Sequence, residues 1–270
     1  MKETITLSSG AAYDLYTPEA CVSAKGYMFY FHGGGFVYGS RKDIPSNLLA
    51  LFLNKGYKVI ALDYLLVPNV PIDKVIYSTL ETVYSLIQTV IHKEPFLFCG
   101  RSAGSYLMMK LTEKLLEKKG PLPMRIINFY GYTDFSFIFK ERRLSERTIQ
   151  KQEIEAISVI GEVWDDPTFS RYLLYVYGVQ QSLLGNFYQL TPKTSESFAI
   201  REEQLRSFPP VFSTASTTDT EVPFTYSKNL KLIPYSKFIP VYDLPHDFLK
   251  ETENLQVAKV MQQLDKWLDQ

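Results

Sequence analysis

Residues 96–105 read Phe-Leu-Phe-Cys-Gly-Arg-Ser-Ala-Gly-Ser. Phe96–Cys99 is a short apolar run of strand type, and from about Ser105 onward Leu107, Leu111 and Leu115 recur at helical spacing. Between them lies Gly100-Arg101-Ser102-Ala103-Gly104, a G-x-S-x-G pattern in strand–turn–helix context. A turn that sharp forces its serine into a strained backbone conformation, and neighbouring chains approach so closely that a Cβ at either glycine would clash. The serine also stands at the amino end of a helix, where backbone N–H groups face any developing negative charge. The pattern alone is weak, because most chance matches are structural turns, so its meaning depends on its surroundings.

Working outward, short apolar runs alternate with helix-period segments, which indicates βαβ units around a parallel sheet. Buried strands are expected at Gly26–Phe31, Tyr57–Asp63, Phe96–Cys99, Arg125–Tyr130, Val211–Ala215 and Phe238–Asp243, preceded by a pair at 4–7 and 12–16. Ile76, Leu80, Val83, Tyr84, Ile87 and Ile91 recur at helical steps, as do Val257, Val260, Met261, Leu264 and Leu268. Right-handed crossovers then give an α/β fold with a mostly parallel, doubly wound sheet. Residues 135–205 break the rhythm with a charged cluster from Lys140 to Glu155 and an aromatic-rich part from Trp164 to Tyr188. Ile154, Ile157, Ile160 and Trp164 have helical spacing. This stretch is expected to be a helical cap over the carboxyl ends of the strands, where ligand crevices lie, with residues 1–134 and 206–270 as the core. The plainer alternative is a second packing layer with no role at a site.

Three further elements stand just past strand ends. His32-Gly33-Gly34-Gly35 closes a buried strand; three glycines let backbone N–H groups turn inward, and with the N–H of Ala103 they can form an oxyanion hole. Asp219-Thr-Glu-Val-Pro223 follows Val211–Ala215, and Leu244-Pro-His246-Asp-Phe248 follows Phe238–Asp243. A lone aspartate after a strand is usually a turn residue, and a lone loop histidine is usually solvated. Their joint order, Ser102, Asp219, His246, is that of a nucleophile, acid and base set on an α/β sheet. His246 would take the Ser102 proton, and Asp219 would hold the imidazole in the right tautomer. Glu221, Asp243 and Asp247 are neighbouring alternatives for the acid. The chain has only three histidines, the third being His92.

On these residues the chain resembles the esterase/lipase branch of the α/β-hydrolases related to hormone-sensitive lipase. The resemblance is carried by His32-Gly-Gly-Gly-Phe-Val-Tyr-Gly-Ser40, Asp63-Tyr-Leu-Leu-Val-Pro68, the Gly-Arg-Ser-Ala-Gly elbow and Leu-Pro-His-Asp-Phe, over most of residues 26–134 and 208–268. It implies hydrolysis of carboxylic esters without a cofactor, an oxyanion hole at Gly34, Gly35 and Ala103, and a structural role for His32. The chain departs from that family where Arg101 replaces an aspartate, Ser105 a glycine, and Leu65 and Asn69 an arginine and a glutamate. Arg101 therefore either binds an acidic group of the substrate or, as the preferred reading, points into the fold or to solvent and is held by a nearby carboxylate.

The expected activity is a carboxylesterase acting on small to medium acyl esters, with the aromatic cluster Trp164, Phe169, Tyr172, Tyr175, Tyr177, Phe187 and Tyr188 as an apolar pocket; plain packing is the commoner role of such a cluster, so no single residue of it is assigned to the site. Alternatives are an arylformamidase-like amidase or small peptidase, and a hydrolase fold kept as a non-catalytic binding module. Lys plus Arg equals Asp plus Glu at 29 each, so nothing steers the protein to nucleic acid or anionic lipid. Two cysteines, Cys21 and Cys99, are too few for a disulfide framework. No metal cluster, phosphate loop or dinucleotide fingerprint is visible. With no leader-like segment after Met1 and no apolar run near the ~18 residues that span a bilayer, a cytoplasmic protein without stable membrane association is expected, a homodimer being open.

Overall fold

The computed structural model describes residues 1–140, 142 and 144–270. Among these, eight strands form one sheet: β1 Lys2–Thr6, β2 Ala12–Tyr16, β3 Gly26–Phe31, β4 Tyr57–Leu62, β5 Phe96–Arg101, β6 Ile126–Phe129, β7 Val211–Ser216 and β8 Lys237–Val241. Their spatial order is β1-β2-β4-β3-β5-β6-β7-β8. The first two strands pair antiparallel, and β2 runs antiparallel to β4. Every other pairing is parallel. The expected strands are all present, with ends displaced by up to two residues.

Side chains alternate across the pleat, so each strand feeds two cores. Phe29, Phe31, Ile60, Leu62 and Phe98 face the helices α2 Ile72–Leu86 and α3 Ala103–Glu117. Met28, Tyr30, Val59, Ala61, Leu97 and Cys99 face α1 Ser46–Asn54 and the last helix, which spans Leu255–Trp267. A sheet buried on both faces needs unbroken apolar runs, and Gly26–Phe31 is buried at every position. The periodic pattern extends past the end of α2. There residues 87–91 form a wider turn in which His92 N–H donates to Ile87 O at 2.7 Å.

Between β6 and β7, residues 135–205 carry short helices: α4 Tyr172–Gln180, α5 Leu184–Tyr188, α6 Pro192–Ser195 and α7 Glu202–Leu205. One further short helix, α8 Phe224–Asn229, follows β7. The helical spacing of Ile154, Ile157, Ile160 and Trp164 is misleading, because residues 154–164 form turns and extended chain. Several of their carbonyls are taken by groups distant in sequence instead of by a helical ladder. Asn69 Nδ2 donates to Gly161 O at 2.9 Å, Arg171 Nη1 to Ser158 O at 3.0 Å, and Leu66 N–H to Val163 O at 2.8 Å. Ile160 is 87% exposed, which a helix with a buried stripe would not allow.

Arg171 fastens this segment to the core. Its guanidinium donates to the carbonyls of Val37 (2.7 Å) and Val67 (2.9 Å) and to Asn69 Oδ1 (2.7 Å). Tyr188 adds a bond from its hydroxyl to Gly35 O at 2.7 Å. The segment therefore lies against the glycine loop that follows β3. Among the described residues, no helix is long and apolar enough to cross a membrane.

Candidate active site

Ser102 occupies the turn between β5 and α3 with φ 50° and ψ −117°. For a residue with a side chain this backbone costs on the order of 1–3 kcal/mol, and surrounding contacts must hold it. Ser102 N–H donates to Phe129 O at 2.9 Å, while its carbonyl accepts from Ser105 and Tyr106, so the helix begins at Ala103, two residues earlier than its apolar spacing suggests. A Cβ at Gly104 would lie 2.3 Å from the carbonyl oxygens of Phe31 and His32, and one at Gly100 would lie 2.6 Å from Gly104 O. Gly104 is thus required by the close approach of β3 to α3, and Gly100 by the tightness of the turn itself, where β5 meets the first residues of α3. Ser105 bonds Gly100 O at 2.5 Å through its hydroxyl.

His246 Nε2 lies 2.8 Å from Ser102 Oγ, and His246 Nδ1 lies 2.6 Å from Asp219 Oδ2. A carboxylate can only accept, so Nδ1 carries the hydrogen and Nε2 is left to accept from the serine hydroxyl. The other oxygen of Asp219 accepts the N–H groups of Glu221 (2.8 Å) and Val222 (2.9 Å), which fixes the carboxylate plane. The loops after β7 and β8 are tied by Ser216 Oγ, which donates to Leu244 O at 2.6 Å. The Tyr130 ring meets the imidazole edge-on, centroids 4.8 Å apart. His246 is 8% exposed. Burial lowers its pKa, but the charges of Asp219 and Glu221 and the Asp219 hydrogen bond outweigh that and push it up to about 9.

Of the other candidate acids, Glu221 lines the cavity but makes no hydrogen bond to His246, and Asp243 and Asp247 point away or are engaged elsewhere. Asp243 is exposed. Asp247 accepts from Arg101 Nη1 (2.5 Å), Tyr130 hydroxyl (2.6 Å) and Lys250 Nζ (2.8 Å). Burial raises its pKa, yet the charges of Arg101 and Lys250 dominate and hold it down to about 2. Arg101 itself is 1% exposed and also bonds Tyr30 hydroxyl (2.7 Å) and Asp43, through both its carbonyl and its carboxylate. It is held by carboxylates, as the preferred reading expects, and of the two orientations that reading left open it takes the one into the fold. His32 is likewise structural. It stacks on Tyr64 with centroids 4.1 Å apart, and its Nδ1 lies 2.7 Å from Gly33 O. Burial lowers its pKa to about 4. His92 is exposed and Cys99 buried, both away from this group.

The glycine loop borders the serine. Gly34 and Gly35 have φ 109° and 55°, and a Cβ at Gly34 would lie 2.0 Å from Tyr38 O. Among the described residues, the N–H groups of Gly34, Gly35 and Ala103 have no protein acceptor. The cavity over Ser102 measures about 40 Å³ and is lined by the glycine loop, Tyr38, Tyr130, His246 and the charged residues Asp43, Arg101, Glu221, Asp247 and Lys250. This corrects the expectation of an apolar pocket walled by aromatic residues of 135–205. Tyr175 and Tyr188 pack behind the glycine loop, and Trp164 packs on Gly10. Tyr38, Asp43, Tyr130 and Lys250 escaped the sequence reading because each is an ordinary residue of its own segment, brought to the cavity only by the crossing of strands.

Residues 28–220 match the family model described as alpha/beta hydrolase fold, and the chain belongs to that family. An alpha/beta hydrolase superfamily protein from Enterococcus faecalis is 46% identical, with a TM-score of 0.95 over 99% of this chain and 98% of that one. Among curated proteins, a kynurenine formamidase of Danio rerio is 31% identical over 100 residues, 37% of this chain and 34% of that one. An esterase of Acinetobacter venetianus is 25% identical over 139 residues, 52% of this chain and 46% of that one. The chain thus spans less than half the length of either curated relative.

Proposed function

We propose that the protein is a serine hydrolase that cleaves carboxylic esters of small acyl groups, with Ser102 as nucleophile, His246 as base and Asp219 as acid. The observation that carries this reading is the unbroken chain of hydrogen bonds from Ser102 Oγ through His246 to Asp219 at a strained strand–helix turn. The similarity to an esterase supports the ester substrate. Ser102 Oγ attacks the carbonyl carbon while His246 Nε2 takes its proton. The negative charge that forms on the carbonyl oxygen is received by the N–H groups of Gly34, Gly35 and Ala103. His246 then gives the proton to the leaving alkoxide, and an acyl-serine remains. Water, deprotonated by His246, attacks that acyl group and frees the acid and the serine. Residues 135–205 act as a cap that supports the glycine loop from behind.

The cavity over Ser102 is narrow, about 40 Å³. That suits an acetyl-sized group and disfavours long acyl chains. The same narrowness, with the likeness to a kynurenine formamidase, favours hydrolysis of a small acyl amide as the second reading. The test is labelling by a fluorophosphonate probe, with Ser102→Ala as control, followed by p-nitrophenyl esters from acetate to laurate. The reading predicts labelling of wild type only and a rate optimum at the shortest chains. Absence of labelling overturns the serine mechanism; labelling with an optimum at laurate overturns the small-acyl assignment.

A further inference from the structure

His246 aside, three carboxylates and two cations line the cavity over Ser102. Four of these five satisfy one another. Arg101 and Lys250 each pair with both Asp43 and Asp247. The fifth is Glu221. Its backbone is fixed by the N–H bond to Asp219 Oδ1, and its carbonyl accepts from Arg142 Nη1 at 2.8 Å. The Arg142 guanidinium lies over the Phe137 ring, 5.0 Å from its centroid. Among the described residues, no cation forms an ion pair with the Glu221 carboxylate. Its polar neighbour is the Tyr175 hydroxyl, 3.4 Å away.

Three tyrosine rings gather at this carboxylate. Tyr38, which lines the cavity, meets Tyr172 at 79° with centroids 5.4 Å apart, and Tyr175 at 49° with centroids 5.6 Å apart. Tyr38 lines the cavity and Tyr172 is 42% exposed, while Tyr175 is buried, so the first two rings are the ones a ligand can reach. A π face beside an unpaired carboxylate is the chemistry that recognises an alkylammonium group. The cluster also abuts the oxyanion loop, since the Tyr175 ring comes within 2.4 Å of where a Cβ on Gly35 would stand.

We propose that Glu221, Tyr38 and Tyr172 form an ammonium-binding subsite beside Ser102, with the buried Tyr175 hydroxyl holding the Glu221 carboxylate in place, so that the preferred substrates are small-acyl esters whose other half carries an alkylammonium. The proposal rests on the serine-hydrolase reading. It is tested by comparing kcat/KM for acetylcholine with that for dimethylbutyl acetate, its uncharged isostere, in wild type and in Glu221→Gln. Both esters use the same His246, so any change in its ionisation cancels in the ratio. Wild type should favour the cation by about tenfold or more, and Glu221→Gln should bring the ratio down by about tenfold. A wild-type ratio near one, or a ratio unmoved by the substitution, overturns the subsite.

A second measurement needs neither turnover nor a folded variant. Phenyltrimethylammonium should slow fluorophosphonate labelling of wild-type Ser102 at concentrations where uncharged tert-butylbenzene does not. Equal or absent protection sinks the subsite and leaves the hydrolase reading standing. Failure to label at all sinks both.

Discussion

Replacing Arg101 by methionine removes a guanidinium that is 1% exposed and holds Tyr30, Asp43 and Asp247 together. The methionine fills most of the volume, so the loss is one of pairing and not of packing. Breaking a buried ion pair by deleting one partner costs about 3–5 kcal/mol, because the other charge stays buried. Here the low end applies. Lys250 Nζ remains 2.8 Å from Asp247 and 3.4 Å from Asp43, and the Asp247 side chain is 36% exposed. A loss of about 3 kcal/mol corresponds to a fall in Tm of roughly 6–12 °C for a chain of this size. Urea unfolding at constant m-value measures it, and the Arg101→Met, Asp247→Asn double variant measures the coupling. The double variant should lose less than the sum of the singles by about 0.5–3 kcal/mol. A single-variant loss below about 1 kcal/mol, the range of an exposed pair, or strict additivity, would refute the account of Arg101 as the internal tie between the Ser102 turn and the His246 loop.

Two further outcomes follow from the site. Only neutral imidazole can take the serine proton, and Asp219 and Glu221 hold the imidazolium stable up to about pH 9, against about 6.5 for a free histidine. The value of kcat/KM should therefore rise about tenfold per pH unit through neutrality and level off near pH 9; a plateau complete by pH 7 would contradict the assigned environment. Asp219→Asn keeps an oxygen for the Glu221 and Val222 N–H groups but turns an NH2 toward His246 Nδ1, forcing the tautomer with its hydrogen on Nε2. Turnover should drop by about 10⁴ while the melting temperature stays close to wild type, and near-normal turnover would move the acid role to a neighbour.

The serine turn was legible because its constraints are local. The glycines at 100 and 104, the strand before them and the helix after them all sit within about twenty residues, and each constraint acts on a backbone that the sequence specifies directly. The strands were legible for the same reason, since a sheet covered on both faces demands unbroken apolar runs. Asp219 and His246 were legible as candidates, but only by their order past strand ends. The misread segment was 154–164. Its spacing matches a helix, yet Asn69 and Arg171, distant in sequence, take the carbonyls that a helix would need.

Sequence alone therefore settled the α/β class, the position of the serine turn and the chain order of the three candidate residues, because these depend on short-range periodicity and backbone sterics. Tertiary structure alone decided that Asp219 and not Asp247 faces His246, that Arg101 turns inward, and that the cavity is small, polar and flanked by Glu221 and tyrosines. Hydrogen bonds and ion pairs between side chains depend on which strand ends lie side by side. That adjacency follows from the order β5-β6-β7-β8 in the sheet, in which loops more than a hundred residues apart in sequence meet across a few ångströms.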